Sequence, residues 1–363
     1  MRKGGVLVII VSLVIIASSA VSLGQQNAPS NQPIPQTSQP EAAPDPMGLP
    51  PRTKLPPPPA QDEKNPTADP SAQPSPITPE SSSGDQGMFV FKKQVQEVVL
   101  HATVVDDKQR LAAHLDRGAF TVFEDGQLQT ITSFRREDVP VAIGIVIDNS
   151  SSMRAKRQQL NEAVLNLVRA SNPLDQVFVV NFSQSPYLDQ DFTSNIGLLE
   201  NALHRTTMQG TTALYDAVVA AAMHIEQGTP LQKKILLVIT DGKDNMSRAT
   251  LPEAMRRLQG KNGPVVYAIG LMGTQPNSGR EALERLAQAT GGSAFFPDSL
   301  DDVGAITVAL AHDIRSQYTI AFKPADEKSN VAFHPIEVEA RAPGYGKLTV
   351  RTRNGYYAGE TVQ

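Results

Sequence analysis

The stretch VAIGIVIDNSSSM, residues 141–153, decides the fold. Apolar residues and one glycine run without interruption up to Asp148, and a run of that kind is what a strand covered on both faces by helices requires. Three later segments repeat the pattern: VFVVNF (177–182), ILLVIT (235–240) and VVYAIGL (265–271). Between them the period changes to that of a helix. Leu160, Ala163, Val164, Leu167 and Val168 form one apolar face, Leu214, Ala217, Val218, Ala221, Ala222 and Ile225 a second, and Val303, Ile306, Leu310 and Ile314 a third. Strand and helix in alternation predict an α/β domain over residues 139–316, a doubly wound, mostly parallel sheet flanked by helices.

In such a sheet, ligands sit beyond the carboxyl ends of the strands, where neighbouring loops converge. The first strand ends there in Asp148, Ser150 and Ser152, a D-x-S-x-S pattern. One carboxylate and two hydroxyls are half the oxygen shell of a hard cation such as Mg²⁺. Two further oxygen sources follow at equivalent points. The loop GTTALYDA (210–217) offers Thr211 or Thr212, and ITDGKDN (239–245) offers Asp241. Each has an ordinary reading as well. Ser151 or Ser152 can cap a helix beginning near Arg154, either threonine can cap the next helix, and Asp241-Gly242 is a common turn pair.

D-x-S-x-S, then a G-x-T-x-L loop, then T-D-G after a buried strand resembles the metal-ion-dependent adhesion site of von Willebrand factor type A domains. The resemblance implies that Asp148, Ser150, Ser152, Thr212 and Asp241 bind one divalent cation, Mg²⁺ or else Mn²⁺ or Ca²⁺. Thr212 is taken over Thr211 because GTTALYDA lines up with the family's usual GGTALYDA. Asp216, Gly242 and Asp244 are then neighbours that support the ligands. The resemblance further implies a binding module whose metal is completed by an Asp or Glu carboxylate of a protein partner.

On either side the chain reads as β structure. Before residue 138, VQEVVLHATVV (95–105) and AFTVFEDGQLQTITSF (119–134) are strand-like, with Asp125-Gly126 marking a type I′ hairpin. After residue 316, YTIAF (318–322), PIEVEAR (335–341) and LTVRTR (348–353) are too. Each set is near the lower size limit for folding alone. Residues 88–138 and 317–363 are therefore expected to form one small β-sandwich-like domain into which the α/β domain is inserted. The segment TVFEDGQLQTITSF is also similar to one preceding the A domain in the related domain proteins of Acidobacteria.

Residues 25–87 hold 17 of the 28 prolines and no aromatic residue, a composition expected of a disordered linker. Residues 1–24 place Arg2 and Lys3 before an apolar run and end in small residues, the layout of a secretory signal or, uncleaved, of an N-terminal membrane anchor. Either assignment puts the protein outside the cytoplasm, secreted or in the periplasm or envelope. With no cysteine there is no disulfide, thiol nucleophile or lipid-bearing cysteine. A net charge of −4 gives no basic footprint for nucleic acid. Phosphate-loop, nucleophile-elbow and H-E-x-x-H patterns are absent from the sequence, and the six histidines show no ligand spacing. The expectation is a binding protein and not an enzyme. A metal-dependent hydrolase using the same open position, or a structural envelope protein whose metal pins three loops, are the alternatives.

Overall fold

The computed structural model describes residues 52–57, 97–136, 138–205, 210–272, 279–324 and 333–358. The expected signal or anchor at 1–24 and most of the linker lie outside these residues. In chain order the first strands are β1 (Thr53–Lys54), β2 (Val98–Val105), β3 (Phe120–Glu124), β4 (Gln127–Gln129) and β5 (Ile131–Arg135). Next come β6 (Val141–Asp148), α1 (Arg157–Arg169), β7 (Gln176–Phe182), β8 (Pro186–Thr193), α2 (Ile196–His204) and α3 (Leu214–Gly228). They are followed by β9 (Lys233–Thr240), α4 (Leu251–Leu258), β10 (Val265–Gly270), α5 (Arg280–Thr290), β11 (Ala294–Phe295) and α6 (Asp301–Arg315). After α6 lie β12 (Tyr318–Phe322), β13 (Phe333–Ala340), β14 (Thr349–Arg351) and β15 (Gly355–Tyr357).

The central sheet has the order β1-β8-β7-β6-β9-β10-β11. Its strands from β7 through β11 pair in parallel, and β8 and β1 add antiparallel partners at one edge. Successive side chains of a strand point to opposite faces, and both faces of this sheet are buried. Val141, Ile143, Ile145 and Ile147 pack with α1, α2 and α6, whereas Ala142 and Val146 pack with α3, α4 and α5. This double burial is why the strands read as continuous apolar runs. The three helical faces predicted from periodicity occupy these same two cores.

Two four-stranded antiparallel sheets, β14-β2-β12-β5 and β15-β13-β3-β4, lie beside it. Alternate residues of both share one core: Val98, Leu100, Ala102 and Val104 of β2, Tyr318, Ile320 and Phe322 of β12, and Ile336, Val338 and Ala340 of β13. The sheets thus pack face to face as a sandwich. Strands from before and after the α/β segment are interleaved, with β12 bonded to both β2 and β5. Between β3 and β4, Asp125 and Gly126 both have positive φ, 51° and 76°, as the type I′ turn demands.

Two local expectations are corrected. The first long helix starts at Arg157 and not near Arg154, because residues 151–153 form a separate 3₁₀ turn. Residues 52–57, placed by composition in a disordered stretch, are held against the sheet edge. Leu55 is buried in a core and Arg52 bonds Asp189, and composition averaged over a long segment cannot register two such anchors.

His101 of β2 lies where the sandwich meets the α/β unit, with Nδ1 3.3 Å from Thr319 Oγ1. Burial, reinforced by Lys233 and Arg353, pushes its pKa from 6.5 down to about 3. The folded protein therefore holds a neutral ring, while the unfolded chain takes up a proton below pH 6.5. This contribution to stability is full above pH 6.5 and is lost as pH falls toward 3, by up to about 1.4 kcal/mol per pH unit. A His101→Gln variant is expected to show a flatter fall of melting temperature between pH 6.5 and 4. Equal slopes for variant and wild type would exclude this ring as the titrating group.

Candidate functional site

The chain passes from β6 to β7 on one side and returns to β9 on the other, so the order of the sheet reverses between β6 and β9. Ligand crevices of open α/β sheets form at such a switch point, outside the carboxyl ends of the strands. Asp148 is the last residue of β6, and Asp241 directly follows Thr240 at the end of β9. The pairing of Ile147 with Ile239 sets Asp148 beside Thr240.

Asp148 is wholly buried. Its Oδ2 accepts a bond from Thr240 Oγ1 at 2.6 Å and its Oδ1 one from the Ser150 amide at 2.7 Å. Ser150 Oγ and Ser152 Oγ are 3.1 Å apart, and Ser152 Oγ donates to Asp241 Oδ1 at 2.8 Å. The oxygens of the first loop thereby meet those of the loop after β9. Neither the 3₁₀ turn nor α1 has a side-chain cap, and α3 has none either. Capping thus explains none of the serines or threonines singled out in the sequence.

The third loop is tied in through its backbone. Asn245 N donates to Thr212 O at 3.0 Å, and Thr212 N donates to Asn245 Oδ1 at 2.9 Å. A Cβ built on Gly242 would lie 3.5 Å from Thr212 Oγ1, so that hydroxyl faces the Asp241-Gly242 turn. Thr211 Oγ1 is buried and has no hydrogen-bond partner among the described residues. Asp216 accepts from the amides of Arg248 and Ala249 at 3.1 and 2.9 Å, and Asp244 accepts from Ser247 Oγ at 2.5 Å. Both acids brace the loop after Asp241 against the start of α3.

Three participants are not among the residues that the sequence assigned to the site. Thr240 was legible only as part of T-D-G, although the strand register makes it the neighbour of Asp148. Lys156 Nζ forms an ion pair with Asp241 Oδ2 and also donates to Leu271 O at 3.3 Å. Arg157 donates to the Asp148 carbonyl at 3.2 Å, and burial brings its pKa down to about 10 against the opposing pull of Asp189 and Asp148. Position on a helix that starts after a turn would have flagged neither cation.

Burial raises the pKa of the Asp148 carboxyl, and the field of Asp241 adds to this, against the bonds from Thr240 and Ser150. Two carboxylates facing one crevice create a demand for positive charge. The donors there are all oxygen, two carboxylates with hydroxyls, and no group of three or more His, Cys, Asp or Glu side chains gathers as a metal site here or elsewhere among the described residues. Carboxylate and hydroxyl oxygens suit a hard divalent cation better than a soft one.

A doubly wound α/β domain with a hydroxyl and carboxylate crevice at its switch point is the class that this architecture defines. Residues 143–243, within the α/β unit, match the family model of the von Willebrand factor type A domain. The calcium-activated chloride channel regulator 1 of Sus scrofa is 28% identical over 170 residues, 45% of this chain and 18% of that protein. The chain thus spans less than a fifth of the length of this relative. Proximal thread matrix protein 1 of the mussel byssus, with a zinc-occupied MIDAS motif, is 21% identical over 54% of this chain and 50% of its own, with a TM-score of 0.43. A von Willebrand factor type A protein from Catenulispora acidiphila is 14% identical over 75% of this chain and 76% of its own, with a TM-score of 0.44.

Proposed function

We propose that this protein is an extracytoplasmic binding module in which Asp148, Ser150, Ser152, Thr212 and Asp241 hold one divalent cation, Mg²⁺ by preference, for capture of a protein partner. The observation that carries the reading is the meeting of oxygens from separate loops at the switch point, with Ser152 Oγ 2.8 Å from Asp241 Oδ1. When bound, the cation supplies positive charge and an exchangeable position that an Asp or Glu of the partner can occupy. Asp148 supplies charge from a site closed to water, and Thr240 and the Ser150 amide fix its orientation. The two serine hydroxyls stand between the carboxylates and separate their charges. Lys156 neutralises part of Asp241 from the outer side.

Placement outside the cytoplasm rests on residues 1–24. No described helix is long and apolar enough to cross a membrane. The partner offers an acidic side chain.

The test uses the full chain immobilised and exposed to an envelope extract in Mg²⁺ or in chelator. A protein retained in Mg²⁺, released by chelator and not retained by the Asp148→Ala chain is the expected outcome. Capture indifferent to chelator would refute carboxylate capture, and a melting temperature raised by Mg²⁺ with no retained partner would favour the structural role.

A further inference from the structure

The edge of the central sheet opposite β11 holds an occupant that the metal crevice does not use. β1 pairs antiparallel with β8, Thr53 opposite Leu188 and Lys54 opposite Tyr187, and the Leu55 amide donates to Pro186 O at 3.2 Å. Thr53 and Lys54 are exposed, so backbone bonds and two flanking anchors hold this segment. Arg52 Nε and Nη2 grip Asp189 Oδ1 and Oδ2 at 2.6 and 2.8 Å, and the guanidinium lies 5.1 Å from the Tyr187 ring centre. Leu55 is 7% exposed and joins the core under α3. Arg52 and Leu55 are three residues apart in an extended segment and therefore point to opposite sides. One anchor clasps each face of the sheet edge.

The receiving side is built for such a ligand. The Asp189 side chain is fully buried, and Asn181 Nδ2 holds its Oδ2 at 2.6 Å. Asn181 is in turn fixed by Arg157 through its Oδ1 and by Ala202 O at 3.2 Å. A carboxylate oriented from behind in this way presents two oxygens to the planar fork of an arginine, a geometry that lysine cannot match. Addition of an extended peptide to a sheet edge draws affinity from main-chain bonds and specificity from side-chain pockets. It also covers an edge that is otherwise open to aggregation.

We propose that the β8 edge is a peptide-recognition site, separate from the metal crevice, for an extended segment with arginine and leucine three residues apart, and that residues 52–55 are its tethered resident ligand. Tethering raises the effective concentration of the resident segment, which a free peptide must exceed to compete. Wild type is therefore shut, and a chain whose own segment is disabled is open.

The test measures fluorescence anisotropy of a labelled synthetic peptide of residues 50–57 against the full chain, wild type or carrying Arg52→Ala with Leu55→Asp. Saturable binding to the double variant, at least tenfold tighter than to wild type, is expected. Changing the peptide's arginine to lysine should weaken it about tenfold, and adding Asp189→Asn to the chain should do the same. Amide exchange of Val141–Asp148 monitors folding, and Arg52→Ala alone replaces the double variant if those amides lose protection. A folded open chain that binds no peptide overturns the proposal, as does equal binding by wild type and open chain or by the arginine and lysine peptides.

Discussion

Replacing Asp148 by Ala is expected to reduce Mg²⁺ affinity by at least a factor of about 100 in titration calorimetry, while the fold is retained. The proposed site has only two carboxylates, and a charged oxygen contributes more to holding a hard cation than a hydroxyl does. For the fold, two effects oppose each other. The Ser150 amide and Thr240 hydroxyl lose their acceptor, at about 1–3 kcal/mol for each buried group left unpaired. Removal of a carboxylate that burial disfavours offsets part of that loss. The metal-free variant should therefore melt within several degrees of metal-free wild type. Mg²⁺ at 100 times its wild-type dissociation constant should stabilise wild type by about 2.7 kcal/mol and the variant by no more than about 0.4 kcal/mol. Thr212→Ala should weaken binding more than Thr211→Ala, because only the Thr212 hydroxyl has been placed at the Asp241-Gly242 turn. An unchanged Mg²⁺ affinity in the Asp148→Ala protein would remove the basis of the site.

The second large effect is expected from deletion of residues 317–363. The deletion takes β12 away from β2 and β5, and β13 away from β3. It also strips Tyr318, Ile320, Phe322, Ile336, Val338 and Tyr356 from the sandwich core. At roughly 2 kcal/mol for each large side chain, the loss is on the order of 10 kcal/mol, comparable to the whole stability of a domain. Residues 98–135 should become sensitive to protease. The α/β unit has two cores of its own and should survive as the resistant fragment, though weakened at its contacts with the sandwich. Among those contacts are Arg351 with Asp313 at 3.1 Å and Arg353 with the carbonyls of Gly260, Lys261 and Gly263. Protease resistance of residues 98–135 after the deletion would mean that the N-terminal strands fold without the C-terminal ones.

What the sequence determined by itself is whatever depends on neighbours along the chain. Burial on both faces leaves an unbroken apolar run, so β6 was legible over the residues it occupies, and β12 was legible from the β-prone residues of YTIAF. The positive φ values at Asp125 and Gly126 follow from the turn those residues favour. Asp148, Ser150 and Ser152 share a short loop, so their proximity needed no tertiary information. Strand β8 was not foreseen, because PYLDQDFT, next to the edge strand β1, lacks the continuous apolar character by which the interior strands were recognised. Only the tertiary structure decided which strands lie side by side, and therefore that Thr240 bonds Asp148 and that Asp241 meets Ser152. It alone brought Lys156 to Asp241, and Arg52, from a proline-rich stretch, to a carboxylate 137 positions away. The physical reason is common to all of these. Periodicity and turn chemistry act over a few residues, whereas pairing of buried charges depends on sheet register and helix packing, which local spacing does not encode.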